Sequence, residues 1–96
     1  MIYVLTVGHK IEDYARWLAA YEGAKGRGKE AGQGPYRVFR IHDDPNNLVL
    51  LVEWESIEKF KAFIESDRLQ QAMRQVGVLE FGTPHFLVKV DEGTLD

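Results

Sequence analysis

The sequence contains no cysteine, which excludes disulfide staples, thiolate nucleophiles and thiolate zinc sites together. Positive charge is also scarce. With 12 Lys and Arg against 15 Asp and Glu the net charge is -3, and no basic cluster is interleaved with aromatics as a nucleic-acid groove requires. Long apolar runs are missing too: the opening MIYVLTVGHK is too short to span a bilayer and lacks the charged start of a signal peptide. These absences predict a soluble, cytoplasmic protein with neither nucleic acid nor membrane as partner.

What remains is ordinary globular composition, 45% hydrophobic and 28% charged over 96 residues. This is one domain, 1-96, with a polar tail at 91-96 and a core small enough to gain from a second subunit. Ile2–His9 carries apolar side chains at both parities and predicts a central strand covered on both faces. Glu12 and Asp13 put negative charge at the start of a helix, and Tyr14, Trp17, Leu18, Tyr21 and Ala24 form its apolar stripe. Five glycines between Gly23 and Gly34 predict a frayed helix end and loop. GRGKEAG follows a helix and lacks a Gly-Lys-Ser/Thr ending, so it is no phosphate loop.

Tyr36–His42 and Leu48–Glu55 predict two strands around the turn formers DDPNN. Setting His42 opposite Leu48 places Arg37 against Glu53, Arg40 against Leu50 and Tyr36 against Trp54. Alternation then gathers Tyr36, Val38, Arg40, His42, Leu48, Leu50, Val52 and Trp54 on one face, and Arg37, Phe39, Ile41, Val49, Leu51, Glu53 and Glu55 on the other. Both faces are largely apolar. Helices can cover only one side of a small antiparallel sheet, so the other predicts a homodimer paired through sheet faces.

Ser56 is placed to cap a helix with the stripe Ile57, Phe60, Phe63 and Ile64; Ser66-Asp67 interrupts or re-caps it before Leu69, Met73 and Val76, and Gly77 ends it. Pro84–Val90 is the last strand. The order is the split βαβ plan of ferredoxin-like α+β domains: a four-stranded antiparallel sheet, order 4-1-3-2, with two helices on one face.

HKIEDYARW, FRIHDDPNNLVLLVEW and FIESDRLQQAMRQVGV, set on this plan, resemble the dimeric α+β barrel proteins of the antibiotic-biosynthesis-monooxygenase type. The resemblance implies a ligand cleft between sheet and helices and a barrel shared by two subunits. It includes cofactor-free monooxygenases and haem-degrading ones. The haem-degrading branch carries Trp and a ligating His where this chain has Phe63 and Met73, which disfavours haem. The quinone-forming branch is matched at Trp54 and at Arg74, while its polar Asn falls on Leu50.

The candidate catalytic residues are therefore Arg40, His42 and Arg74, able to hold a substrate anion or move its proton. Tyr36, Trp54, Leu50, Trp17, Phe60, His9 and His85 are the candidate binding residues. His9, His42 and His85 fall along one sheet edge, but no carboxylate with ligand spacing accompanies them, so neither metal nor cofactor is expected. Two functions fit: a cofactor-independent monooxygenase, cyclase or isomerase acting on a small aromatic or polyketide-like molecule, or a non-catalytic ligand-binding or stress-related module.

Overall fold

The computed structural model describes residues 1–95; the last residue of the expected polar tail, Asp96, lies outside them. The elements are β1 (Ile2–Ile11), α1 (Tyr14–Ala31), β2 (Gln33–Ile41), β3 (Asp44–Trp54), α2 (Ile57–Ile64), α3 (Asp67–Gln75), β4 (Val78–Glu80) and β5 (Thr83–Leu87). The sheet is antiparallel in the order β2-β3-β1-β4, with β5 also paired to β1. This is the expected ferredoxin-like α+β plan. Its fourth strand comes in two pieces, because Gly82, at φ +95, turns the chain between a short pairing at Lys10 and Ile11 and a longer one at Tyr3–Val7. Val88 to Val90, expected in that strand, lie beyond it and are exposed.

The end of α1 and the β2–β3 turn differ from the sequence reading, each for a physical reason. Helix α1 runs through Gly23, Gly26 and Gly28 to Ala31 instead of fraying. Asp13 accepts from the Ala15 amide at its start, and Gly32, at φ +110, closes its end by donating to Gly28 and Lys29 carbonyls. Two good caps and the packing of Trp17 offset a glycine penalty of roughly 0.5–1 kcal/mol each. Leu18 is exposed, outside the stripe.

The β2–β3 hairpin reverses at His42-Asp43, with Ile41 paired to Asp44. The expected turn residues join β3 instead, where Asn47 pairs with Lys10 and Asn46 donates to the Glu12 carbonyl. Arg40 consequently stands opposite Leu48, Arg37 opposite Leu51, Tyr36 opposite Val52 and Gln33 opposite Trp54. From Tyr36 to Arg40 the shift is two residues, so these side chains keep their faces; irregularities at Gln33/Tyr36 and Arg40/Ile41 bound this stretch. The expected Arg37–Glu53 pairing is lost.

Ser56 caps α2 by accepting from the Lys59 amide, and Ser66 re-caps the chain as α3 by accepting from the Leu69 amide. The helices cover the Trp54 face, where Val4, Ile11, Trp17, Leu48, Leu50, Val52, Trp54 and Phe60 form the core. Among the described residues no helix covers the opposite face: Val7, Phe39 and Leu87 are exposed on it, and only the tail reaches over its margin, with Lys89 above the Tyr3 ring.

The glycines predict substitutions of opposite sign. A Cβ at Gly82 would overlap the Val7 carbonyl oxygen and lie 2.8 Å from the Gly8 carbonyl carbon, at a positive φ. Gly82→Ala should cost at least about 2 kcal/mol in denaturant unfolding. At Gly26 a Cβ meets nothing within 4 Å. Gly26→Ala should stabilise the same unfolding transition by about 0.5–1 kcal/mol.

Candidate active site

A single extra residue in β1 sets the site. Val7 pairs with Val49 and His9 with Leu48, leaving Gly8, at φ +80, as a bulge. Alternation points Val4 and Thr6 inward, and without the bulge His9 would face outward. With it, His9 turns into the core and is only 2% exposed.

Both ring nitrogens of His9 are engaged there. Nδ1 lies 2.8 Å from the Phe81 carbonyl oxygen, to which it must donate. Nε2 accepts from the Trp17 indole N–H at 3.1 Å. A doubly protonated ring has no lone pair for Trp17, so these partners define the neutral Nδ1–H tautomer. Burial lowers the imidazole pKa below its ordinary value, opposed in part by the Phe81 carbonyl.

Beside this tie lies a cavity of about 390 Å³, within the roughly 300–1,000 Å³ usual for small-molecule sites. Its floor is Val4, Thr6, Leu50, Val52 and Trp54 of the sheet. Phe60 and Phe63 of α2 and Leu69, Ala72 and Met73 of α3 form one wall. The α1 wall is built from small residues, Ala20, Gly23 and Ala24, between Trp17 and Arg27. Near one end the Tyr21 hydroxyl accepts from Gln33 Nε2 at 2.9 Å. Burial raises the Tyr21 pKa, against the Gln33 hydrogen bond, so its O–H proton is retained at neutral pH.

Behind the cavity runs an aromatic column. Tyr14 stacks on Trp17 and Trp17 on Tyr21, with centroids 6.0 and 5.0 Å apart, and Tyr21 leans on Tyr36 at 5.1 Å. The Arg40 guanidinium closes one end, 4.5 Å from the Tyr14 ring centroid. Lys25 closes the other over Tyr36.

The structure thus brings together five expected residues: Trp17, Leu50, Trp54, Phe60 and His9. Tyr36 backs Tyr21 without lining the cavity. Arg40 shares the Trp54 face but is exposed and committed to Tyr14. His42 stands in the exposed hairpin turn. Arg74 follows Met73 by one position, about 100° around the helix, so it is exposed, with Nε 3.4 Å from the Gln70 carbonyl. His85 pairs with Leu5 and is exposed on the outer face.

The histidines therefore share no edge, and among the described residues no three His, Asp or Glu side chains converge as metal ligands. Arg27, Gln33 and Thr6 are polar cavity residues that sequence reasoning missed, beside apolar ones such as Val4, Ala20 and Val52. Arg27 continues the Ala20–Ala24 spacing by three, a signal hidden when the helix is ended at its glycines.

The His9 tie predicts a signed pH dependence. A folded pKa below the unfolded value means that the contribution of His9 to stability is complete above the unfolded value of about 6.5 and declines as pH falls toward the folded pKa. Denaturant midpoints should drop between pH 7.5 and 5.5, and less steeply in His9→Gln. Imidazole nitrogen NMR at pH 7 should show Nδ1 protonated and Nε2 bare; the reverse tautomer contradicts the tie.

A sequence profile described as antibiotic biosynthesis monooxygenase matches residues 2–75. No curated protein matches the chain. Solved structures share the fold. A proposed antibiotic biosynthesis monooxygenase of Bordetella bronchiseptica is 20% identical at a TM-score of 0.73, covering 93% of this chain and 97% of that one. Another antibiotic biosynthesis monooxygenase is 16% identical at 0.66, covering 95% and 100%. Rv0793 of Mycobacterium tuberculosis is 16% identical at 0.63, covering 97% and 98%. At these identities the structures speak for the fold alone, and it is the profile, spanning β1 to the end of α3, that makes this chain a member of the antibiotic biosynthesis monooxygenase family.

Proposed function

We propose that the chain is a homodimeric, cofactor-independent monooxygenase that oxidises a small phenolic or polyketide-like arene in the cavity. The observation that carries this reading is the cavity itself, about 390 Å³ walled by Trp17, Trp54, Phe60 and Phe63. Family membership adds to it. In a balanced reaction of this class, a ring methylene activated by its phenol reacts with O2; the carbon becomes a carbonyl, one oxygen enters the product and the other leaves as water. The two C–H bonds supply the four electrons and both hydrogens of the water.

The protein's part is to exclude bulk water, orient the ring and bind its oxygens. Tyr21 retains a hydroxyl proton to donate, while Gln33 occupies its oxygen. Arg40, His42 and Arg74 stand outside the cavity lining. Their catalytic roles would require the second subunit or a ligand extending beyond the cavity.

Pairing is proposed through the uncovered sheet face, where Val7, Phe39 and Leu87 are exposed and Leu5, Val49 and Leu51 are half-buried. An apolar sheet face of this extent is unfavourable in water.

A specific observation favours a second reading, non-catalytic ligand binding. Both His9 nitrogens are already occupied and Leu50 offers no hydrogen bond, so the inner cavity has no unoccupied general base among its histidines.

An oxygen electrode with a panel of hydroquinones and anthrone-type phenols separates the two. The first reading expects uptake stoichiometric with product over many turnovers, without added metal or flavin, and at least a tenfold loss in Ala20→Phe, which fills the cavity. Binding across the panel without uptake selects the second. Sedimentation at micromolar concentration should give a dimer, and Phe39→Glu should shift it to monomer; a wild-type monomer removes the pairing.

A further inference from the structure

Most of the cavity wall is apolar, but charge enters it at one place. Arg27, half-buried near the end of α1, lines the cavity. The ion pairs of the described residues join Arg16 to Glu12, Lys25 to Glu22, Lys59 to Glu55 and Lys89 to Glu92, and Arg27 belongs to none of them. Its planar fork of N–H donors is thus left without a carboxylate partner among the described residues, on a side chain that lines the cavity.

A second polar group, the Tyr21 hydroxyl, comes from the same helix and is held by Gln33 of β2. Gln33 donates to the Tyr21 hydroxyl at 2.9 Å. A Cβ on Gly28 would lie 2.5 Å from Gln33 Oε1, so glycine in that turn is what admits the amide against the helix. The hydroxyl oxygen is occupied by Gln33, and its proton is left for another acceptor. Gly23, also on this helix, has nothing within 4 Å of the place its Cβ would take, which leaves room alongside.

We propose that the ligand of this cavity is an aromatic carboxylate, its carboxylate docked on the Arg27 guanidinium and its ring lying among Trp54, Phe60 and Met73. The proposal rests on the reading of the cavity as a small-molecule site and names the class of molecule. A carboxylate matches the guanidinium fork in two parallel hydrogen bonds, which a neutral ketone or alcohol cannot do. The Tyr21 hydroxyl donates to a further ligand oxygen, with Gln33 as the residue that positions it. Low polarity around the pair strengthens the attraction relative to water.

The test is calorimetric titration of the full chain at pH 7.5 and low salt with 2-naphthoate and with 2-naphthylmethanol, its neutral and more hydrophobic counterpart. The acid should bind at least about tenfold more tightly. Arg27→Met, which keeps the apolar stem, should abolish that preference through a loss of at least about tenfold in affinity for the acid. Arg27→Gln provides the same comparison if the first variant melts early, and Arg27→Lys should retain part of the preference. Equal binding of acid and alcohol by the wild type, or a full preference surviving in Arg27→Met and Arg27→Gln, overturns the carboxylate assignment and leaves the cavity as a site. Binding of neither molecule removes the small-arene reading with it.

Discussion

The bulge at Gly8 is the constraint on which the interior depends. One unpaired residue converts an outward position into an inward one, and the imidazole so placed joins three parts of the chain: β1, the Trp17 indole of α1 and the Phe81 carbonyl before β5. Each hydrogen bond contributes only about 1 kcal/mol net, but leaving one of these buried groups without its partner costs about 1–3 kcal/mol. The bonds therefore hold α1 at one distance and one rotation over the sheet. The column Tyr14, Trp17, Tyr21, Tyr36 follows from that rotation.

Close packing normally leaves few voids larger than a water molecule. Here an open cleft persists between sheet and helices because two features keep its walls apart. Ser66 divides the second helical segment, so α2 and α3 present Phe60 and Met73 from separate helices. On α1 the side chains that would fill the gap are reduced to Ala20, Gly23 and Ala24. The two walls of the cleft thus owe their spacing to different parts of the sequence. Trp54, at the end of β3, belongs to both the core and the cavity floor.

Much of this was legible because strand periodicity is forgiving. Between Tyr36 and Arg40 the β2–β3 register differs from that set by the turn by two residues, yet these side chains fall on the expected faces, since parity survives an even shift. Ser56 and Ser66 were legible as caps because capping is local chemistry. The end of α1 was not. Its glycines carry a local penalty, while the close approach at Gly28 and the cap at Gly32 that justify them depend on Gln33 and on the chain beyond. Arg27 disappeared with that error. The inward turn of His9 was hidden for a related reason: a bulge cannot be read from alternation until the partner strand is known. Arg40, His42, Arg74 and His85 have the right chemistry for a site, but position around a helix or along a hairpin decides whether chemistry is used.

The small-residue wall of α1 separates what the protein recognises from what makes it fold. Ala20, Gly23 and Ala24 lie outside the buried core cluster, whose members come from the sheet, Trp17 and Phe60. Enlarging one of them reshapes the space offered to a ligand and leaves strand pairing and the histidine tie in place. The mould for the bound molecule is held at neighbouring positions on one helix, each changeable by a single codon. A chain organised in this way can acquire a new preferred molecule without first surviving the loss of its old fold.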